Sequence, residues 1–236
     1  MKNKELIQRC LSIYSKGVHS SDIRLRKRQI YNKLCSVRIL LLNNKTNKRE
    51  ILNISNFQKL DCVEMHVAIS SECSCIPLYI RKNFKIYRSI KPIPKILKSL
   101  YRYVISDINS LDAQDRLDVT NYADLKYFAG RKYGLNKPFV MLHDDYLYMF
   151  NATYKVLELT AVFLNPLDAI KFKDCGCTER EDCTSYDDLE FPISDELIEP
   201  LLSFTKQEML LEFQHGKIDT SNNTQDNSNN SQQSTE

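Results

Sequence analysis

Apolar positions in the first fifty residues recur at helical spacing. In "KELIQRCLSIYSKG", Leu6, Ile7, Cys10, Leu11 and Tyr14 fall three and four residues apart, and Gly17 offers a stop, which predicts a helix over about 3–16. Ser20, Ser21 and Asp22 supply N-cap oxygens for a second helix. In it Ile23, Ile30, Leu34, Val37 and Leu41 step by seven, four, three and four to make one buried stripe, and Asn43-Asn44 ends it. The expectation is an antiparallel helical hairpin over 1–45.

The period then shortens to two. "CVEMHVAIS" alternates Val63, Met65, Val67 and Ile69 with Glu64, His66 and Ala68, the pattern of a half-buried strand. "REILNIS" (49–55), "NFKIYRS" (83–89), "YRYVISDI" and "YKVLELTAVFLN" (154–165) read as further strands. "KPFVMLHDDYLYMF" reads as a hairpin turning near His143-Asp144-Asp145. The prolines make "KPIPK" (91–95) extended, and 120–134 is expected to form a short helix. An acidic loop, "KDCGCTEREDCTSYDDLE", leads to a last helix over about 194–214, with Ser194 as cap and Asp195 and Glu196 at its positive end. Residues 216–236 are polar and low in complexity. Alone they could not offset the entropy of ordering, so a partner would have to hold them. The predicted class is α+β in four stretches: helical hairpin 1–45, antiparallel β-rich module 46–175, acidic loop and C-terminal helix 176–215, and extended tail 216–236. There is no internal repeat.

With 236 residues and 42% hydrophobic content, the chain can build a sizeable core. No run approaches 18 apolar residues, and "MKNKELIQRC" has no signal-peptide hydrophobic stretch, so the expectation is a cytoplasmic, non-membrane protein. Charge changes the picture more. Residues 1–102 carry 22 Lys and Arg against 6 Asp and Glu, and residues 103–236 carry 11 against 24, so a net +3 conceals +16 and −13. Such asymmetry points to nucleic acid or to complementary self-association, including head-to-tail contacts that close into rings.

Candidate chemistry is sparse. Catalytic signatures such as a Gly-x-Ser-x-Gly elbow, a glycine-rich phosphate loop or His-Glu-x-x-His do not occur, and no enzyme or cofactor is expected. Of the four histidines (His19, His66, His143, His215), His66 shares a strand face with Cys62. At strand rise the two lie about 13 Å apart, beyond a hydrogen bond. His143-Asp144-Asp145 reads as a polar turn, and the acids of "SDINSLDAQDRLD" lack calcium-loop spacing. The eight cysteines are expected as reduced thiols. Cys73, Cys75, Cys175, Cys177 and Cys183 are weak zinc candidates, because C-x-C is a poor version of the usual knuckle. The basic run Arg24, Arg26, Lys27, Arg28, Lys33 and Arg38, with Arg81, Lys82, Lys85 and Arg88, leaves a soluble nucleic-acid-binding regulator as the alternative. Its interleaved apolar stripe favours a helix with one buried and one basic face.

Several pieces occur in a telling order: "SSDIRLRKRQIYNKL", Glu72-Cys73-Ser74-Cys75-Ile76-Pro77, Arg88-Ser89 with Ile93-Pro94-Lys95, and Ala161-Val162-Phe163-Leu164-Asn165-Pro166. Over about residues 20–175 the chain resembles the head–tail connector, or ring (adaptor), proteins of crAss-like podoviruses infecting Bacteroides. The last piece departs from the family's G-x-F-E-D-P, with Ala161 in place of Gly and Leu164-Asn165 in place of Glu-Asp, so no role of those acids carries over. The resemblance implies a non-enzymatic virion protein repeated, in about twelve copies, in a ring beneath the portal protein. Further tail ring or muzzle proteins would follow it, and double-stranded DNA would pass through without sequence-specific binding. A pore for DNA should avoid strong phosphate attraction. The expected protein contacts are therefore Arg24, Arg26, Lys27 and Arg28 on one side and Asp112, Asp115, Asp118, Glu179, Glu181 and Asp187 on the other.

Overall fold

The computed structural model describes residues 1–14, 26–100, 102–112, 115–125, 127, 137–172 and 186–211. Helix α1 (Asn3–Tyr14) buries Leu6, Ile7 and Cys10. Helix α2 (Lys27–Asn47) buries the predicted Ile30, Leu34, Val37 and Leu41. The start of α2 differs from expectation. Arg26 is the capping residue, and its N–H donates to the Gln29 side chain at 3.1 Å; Ser20, Ser21, Asp22, Ile23 and Gly17 lie outside the described residues. The helix also runs past Asn43-Asn44, because these continue the hydrogen-bonded spiral until Arg49, at φ 60°, reverses the chain.

Among the described residues nine strands follow: β1 (Gln58–Val67), β2 (Ile86–Ser89), β3 (Lys98–Ser99), β4 (Arg102–Tyr103), β5 (Ile105–Ser110), β6 (Asp118–Thr120), β7 (Phe139–His143), β8 (Tyr146–Phe150) and β9 (Val156–Ala161). Seven form one sheet in the order β5-β9-β1-β2-β8-β7-β6, while β3 and β4 make a separate small hairpin. Strand β1 serves two neighbours. Residues up to Glu64 pair with β9, and Met65 to Val67 pair with β2, with a register shift between Leu60 and Val63. The segment before β6 closes the ring of strands: Leu117 N–H donates to Ile108 at 2.8 Å and Ser110 N–H to Asp115 at 3.0 Å. Beyond it, β6 runs parallel to β7, the one departure from an antiparallel module. Closure covers the far end of β5, whereas β6, paired with β7, and the β3–β4 hairpin each keep a side without a neighbouring strand among the described residues. Closure also explains why β7 and β8 alternate so little: Val140, Leu142, Leu147 and Met149 face the barrel interior with Leu60, Val63, Ile108 and Leu159. Phe139, Met141, Tyr148 and Phe150 face outward onto a second core under Ile76 and Ile80.

Some predicted elements are not formed. Residues 50–53 are irregular and Ile54–Asn56 make a 3-10 turn, so 49–55 is no strand; Ile51 and Ile54 have no sheet to cover them. Of 83–89 only β2 is strand, preceded by helix α3 (Leu78–Asn83). A further short helix, α4 (Pro166–Lys171), follows β9, capped by Asn165, whose Oδ1 accepts from Leu167 N–H at 3.2 Å. The last helix begins with a 3-10 turn, Asp195–Leu197, and continues as α5 (residues 198–211). Ser194 sits at the expected place but does not cap. Its N–H donates to Asn56 Oδ1 at 2.9 Å, and Asn56 Nδ2 donates to its hydroxyl at 3.3 Å. Helices α1, α2 and α5 enclose a third core with Phe191, Leu197, Leu201 and Leu202, to which Leu97 and Val162 of the β module also belong.

Candidate interaction surfaces and the groups that hold them

Arg38 is the first correction to the basic run. It occupies the apolar stripe between Leu34 and Leu41 and is fully buried. Its Nε donates to Pro192 O at 2.7 Å, Nη1 to Phe163 O at 2.9 Å and Nη2 to Asn56 O at 3.0 Å. One guanidinium thus ties α2 to the turn before β1, the chain after β9 and the approach to α5. It does so by satisfying carbonyls that have no water to turn to. Burial lowers its pKa to about 10. The sequence held the signal, since Leu34, Arg38 and Leu41 share a helix face.

The rest of the basic run is divided. Arg26, Lys27 and Arg28 are exposed at the start of α2. Lys27 pairs with Asp187 of the same chain at 3.3 Å, and Lys33 with Glu208 at 3.8 Å. Lys2–Asp188 (3.9 Å) and Lys45–Glu196 (2.5 Å) repeat the pattern. The basic first half and acidic second half therefore meet within one molecule along the helical layer, through exposed pairs each worth about 0–1 kcal/mol. Arg24, Glu179 and Glu181 lie outside the described residues.

A second charged surface follows the closing segment of the barrel. Asp112, Asp115 and Asp118 are exposed there, beside exposed Leu111 and Val119. Arg116 reaches Asp107 at 2.8 Å, and the Tyr154 hydroxyl donates to Asp115. Parallel pairing of β6 on β7 carries the strip to the 144–145 turn. There Tyr122 stacks on His143 at 5.7 Å between centroids, beside exposed Asp144. His143-Asp144-Asp145 is thus a turn, as expected, with φ 48° and 62° at the two aspartates.

The motif pieces come together in space. Glu72 Oε1 accepts from Arg88 Nη1 at 2.5 Å, while its Oε2 contacts His66 Nε2 at 2.9 Å and accepts from Ile69 N–H at 3.1 Å. The Arg88 guanidinium lies 3.6 Å from the centroid of the Tyr146 ring, and the Tyr148 hydroxyl donates to Glu72 O at 3.0 Å. Burial would raise the Glu72 carboxyl, but its donors outweigh burial and hold it below the usual range. Next to Arg88, buried Ser89 accepts from Leu147 N–H at 3.1 Å. The Glu-Cys-x-Cys and Arg-Ser pieces therefore fasten the loop after β1 onto β2 and β8. Asn165, where the family pattern has Asp, still performs the capping an acid would perform.

Cys10, Cys35, Cys73 and Cys75 are free thiols, whereas Cys62, at the β1 irregularity, is disulfide-bonded, contrary to the expectation of reduced cysteines throughout. Burial pushes Cys10 up to about 12 and raises Cys35 and Cys73. Among the described residues no three His, Cys, Asp or Glu gather to hold a metal. Cys175, Cys177 and Cys183 lie outside those residues. No described helix is long and apolar enough to cross a membrane.

Fold and surfaces together define an α+β protein with a small β barrel, a helical layer and charge divided between the two halves of its sequence. A family model described as phage tail ring protein 2 matches residues 5–230, and the chain belongs to that family of crAss-like phages. It is accordingly a tail ring component of the virion. No curated protein matches it.

Proposed function

We propose that the ring this chain forms lies in the portal–tail connector of a podovirus, in about twelve copies that extend the DNA channel and join portal to tail. The role is mechanical and non-enzymatic. The helical hairpin docks toward the portal protein, and the β-rich module meets the next tail ring or the muzzle. A neighbouring subunit orders the 216–236 tail, and double-stranded DNA passes without sequence-specific binding.

The observation that carries this reading is the family match along nearly the whole chain, 5–230. The dispersal of the basic run supports docking over a nucleic-acid arm. Arg38 is buried against carbonyls and Lys27 faces Asp187, which leaves Arg26 and Arg28 exposed at one helix end rather than a continuous phosphate-binding face. Those two, with Lys27, are assigned to a portal or neighbour's acidic surface, and Asp112, Asp115 and Asp118 to a second contact. Arg24, Glu179, Glu181 and Asp187 belong to the same proposed contacts.

The test is Arg26→Glu with Arg28→Glu in the full chain. The expected result is loss of assembly onto portal particles, seen by electron microscopy, with unchanged folding by circular dichroism. Intact assembly with altered genome retention would place these residues on the channel wall instead.

A further inference from the structure

Cys73 and Cys75 are the two thiols of the loop that Glu72 fastens, and both are free. Cys73 is buried in the core under Ile76 and Ile80, and half-buried Cys75 packs against that same core. The Tyr148 hydroxyl, which donates to Glu72 O, is also hydrogen-bonded to Cys75. Cys73 is close enough to feel the charges of Cys75, Glu72, Arg81 and Arg88. Burial raises its thiol, and the two guanidiniums oppose that rise. Two sulfurs and a phenol therefore share one small volume.

The backbone brings the two cysteines together. Ile76 N–H donates to Cys73 O at 2.9 Å and closes a turn over 73–76. In an extended chain, Cα atoms two residues apart stand about 7 Å apart. The turn draws those of Cys73 and Cys75 closer, into the roughly 4.4–6.8 Å that a disulfide spans. Cys10 and Cys35, the other free thiols among the described residues, are both buried in the helical core and offer a reagent no comparable entry. Cys62 is already disulfide-bonded, and such a bond persists only in surroundings able to oxidise a dithiol.

We propose that Cys75 and Cys73 form a modification site for small-molecule disulfides, with Cys75 as the entry thiol and Cys73 resolving the adduct into a Cys73–Cys75 bond. The Cys75 thiolate attacks one sulfur of the reagent. A Cys75–sulfur bond forms, the reagent's S–S bond breaks, and its other half leaves as a thiolate that takes up the Cys73 proton. Cys73 Sγ then attacks Cys75 Sγ and expels the second half. Two protein thiols are oxidised and one reagent disulfide is reduced to two thiols. A bond across a single intervening residue has little room to relax, so it is readily reduced and the modification is reversible. The site goes beyond the ring reading and does not depend on it.

The test treats the full chain with oxidised glutathione, alkylates the remaining thiols under denaturing conditions, and maps the 73–81 peptide released by cleavage after Glu72 and Arg81. The expected peptide is lighter by two hydrogens, carries neither alkyl group nor glutathione, and returns to the dithiol with dithiothreitol. Cys10 and Cys35 should be recovered alkylated. In Cys73→Ser the same treatment should leave glutathione on Cys75, because the resolving thiol is gone. Glutathione retained on Cys75 of the wild-type chain shows that the two sulfurs do not meet and overturns the proposal. A wild-type 73–81 peptide recovered with both thiols alkylated overturns it as well, since the entry thiol is then closed to the reagent.

Discussion

Replacing Arg38 with Met removes three buried donors while keeping a side chain that fills the same channel through the helical core. Three carbonyls, those of Pro192, Phe163 and Asn56, are then left without their partner. Each buried acceptor so orphaned costs about 1–3 kcal/mol. Against this, the wild type must desolvate a guanidinium, and a pKa lowered from 12.5 to about 10 corresponds to roughly 3 kcal/mol that the neutral side chain recovers. The expected net loss is centred near 3 kcal/mol, or a fall in Tm of about 6–12 °C for a chain of this size. Urea and thermal melts followed by far-UV circular dichroism give the number, with Lys33→Met as a surface control expected within about 0.5 kcal/mol of wild type. Arg38→Lys should rescue little, because one ammonium cannot reach three carbonyls in three directions. If Arg38→Met melts like the control, the carbonyls find other donors, and the claim that one side chain joins α2 to three segments is wrong.

The Glu72 carboxyl is held below its unfolded value of 4.5, so its contribution is present above that pH and is lost as pH falls through the folded value. Glu72→Gln should lower the midpoint of urea unfolding at pH 7 and flatten the acid limb of the stability–pH curve; an unchanged limb would assign acid sensitivity elsewhere. At the β7–β8 turn, Asp145→Gly relieves a side chain at φ 62° and should stabilise by about 0.5–1 kcal/mol, read as a rise in Tm, whereas Asp145→Val should destabilise. Cys10, buried with its pKa pushed up to about 12, should resist thiol reagents in the native protein, while half-buried Cys75 reacts before Cys10, Cys35 and Cys73; native labelling followed by peptide mapping reports the order.

Elements with a strong local period were legible from residues alone. The α2 stripe, β9 and the final helix stand where spacing places them, because a 3.6- or two-residue repeat needs only one apolar neighbour to become a face, while the doubly buried β7–β8 hairpin was marked by its two-aspartate turn. The segment 49–55 has strand-like composition but no strand. Strand formation requires an available edge, and β9 and β2 already occupy both sides of β1. The exposure of Ile51 and Ile54 is the consequence. Likewise the basic run reads as one surface in sequence. Only tertiary packing separates buried Arg38 from paired Lys27 and from exposed Arg26 and Arg28, since their partners come from segments 154 and 160 residues away. Composition and pattern by themselves determined an α+β protein with a basic front and an acidic back. Which charges meet inside the molecule, and which are left for neighbours, was decided by the closing of the barrel and the docking of α5 on α2. Those contacts join distant parts of the chain and leave no local period to read.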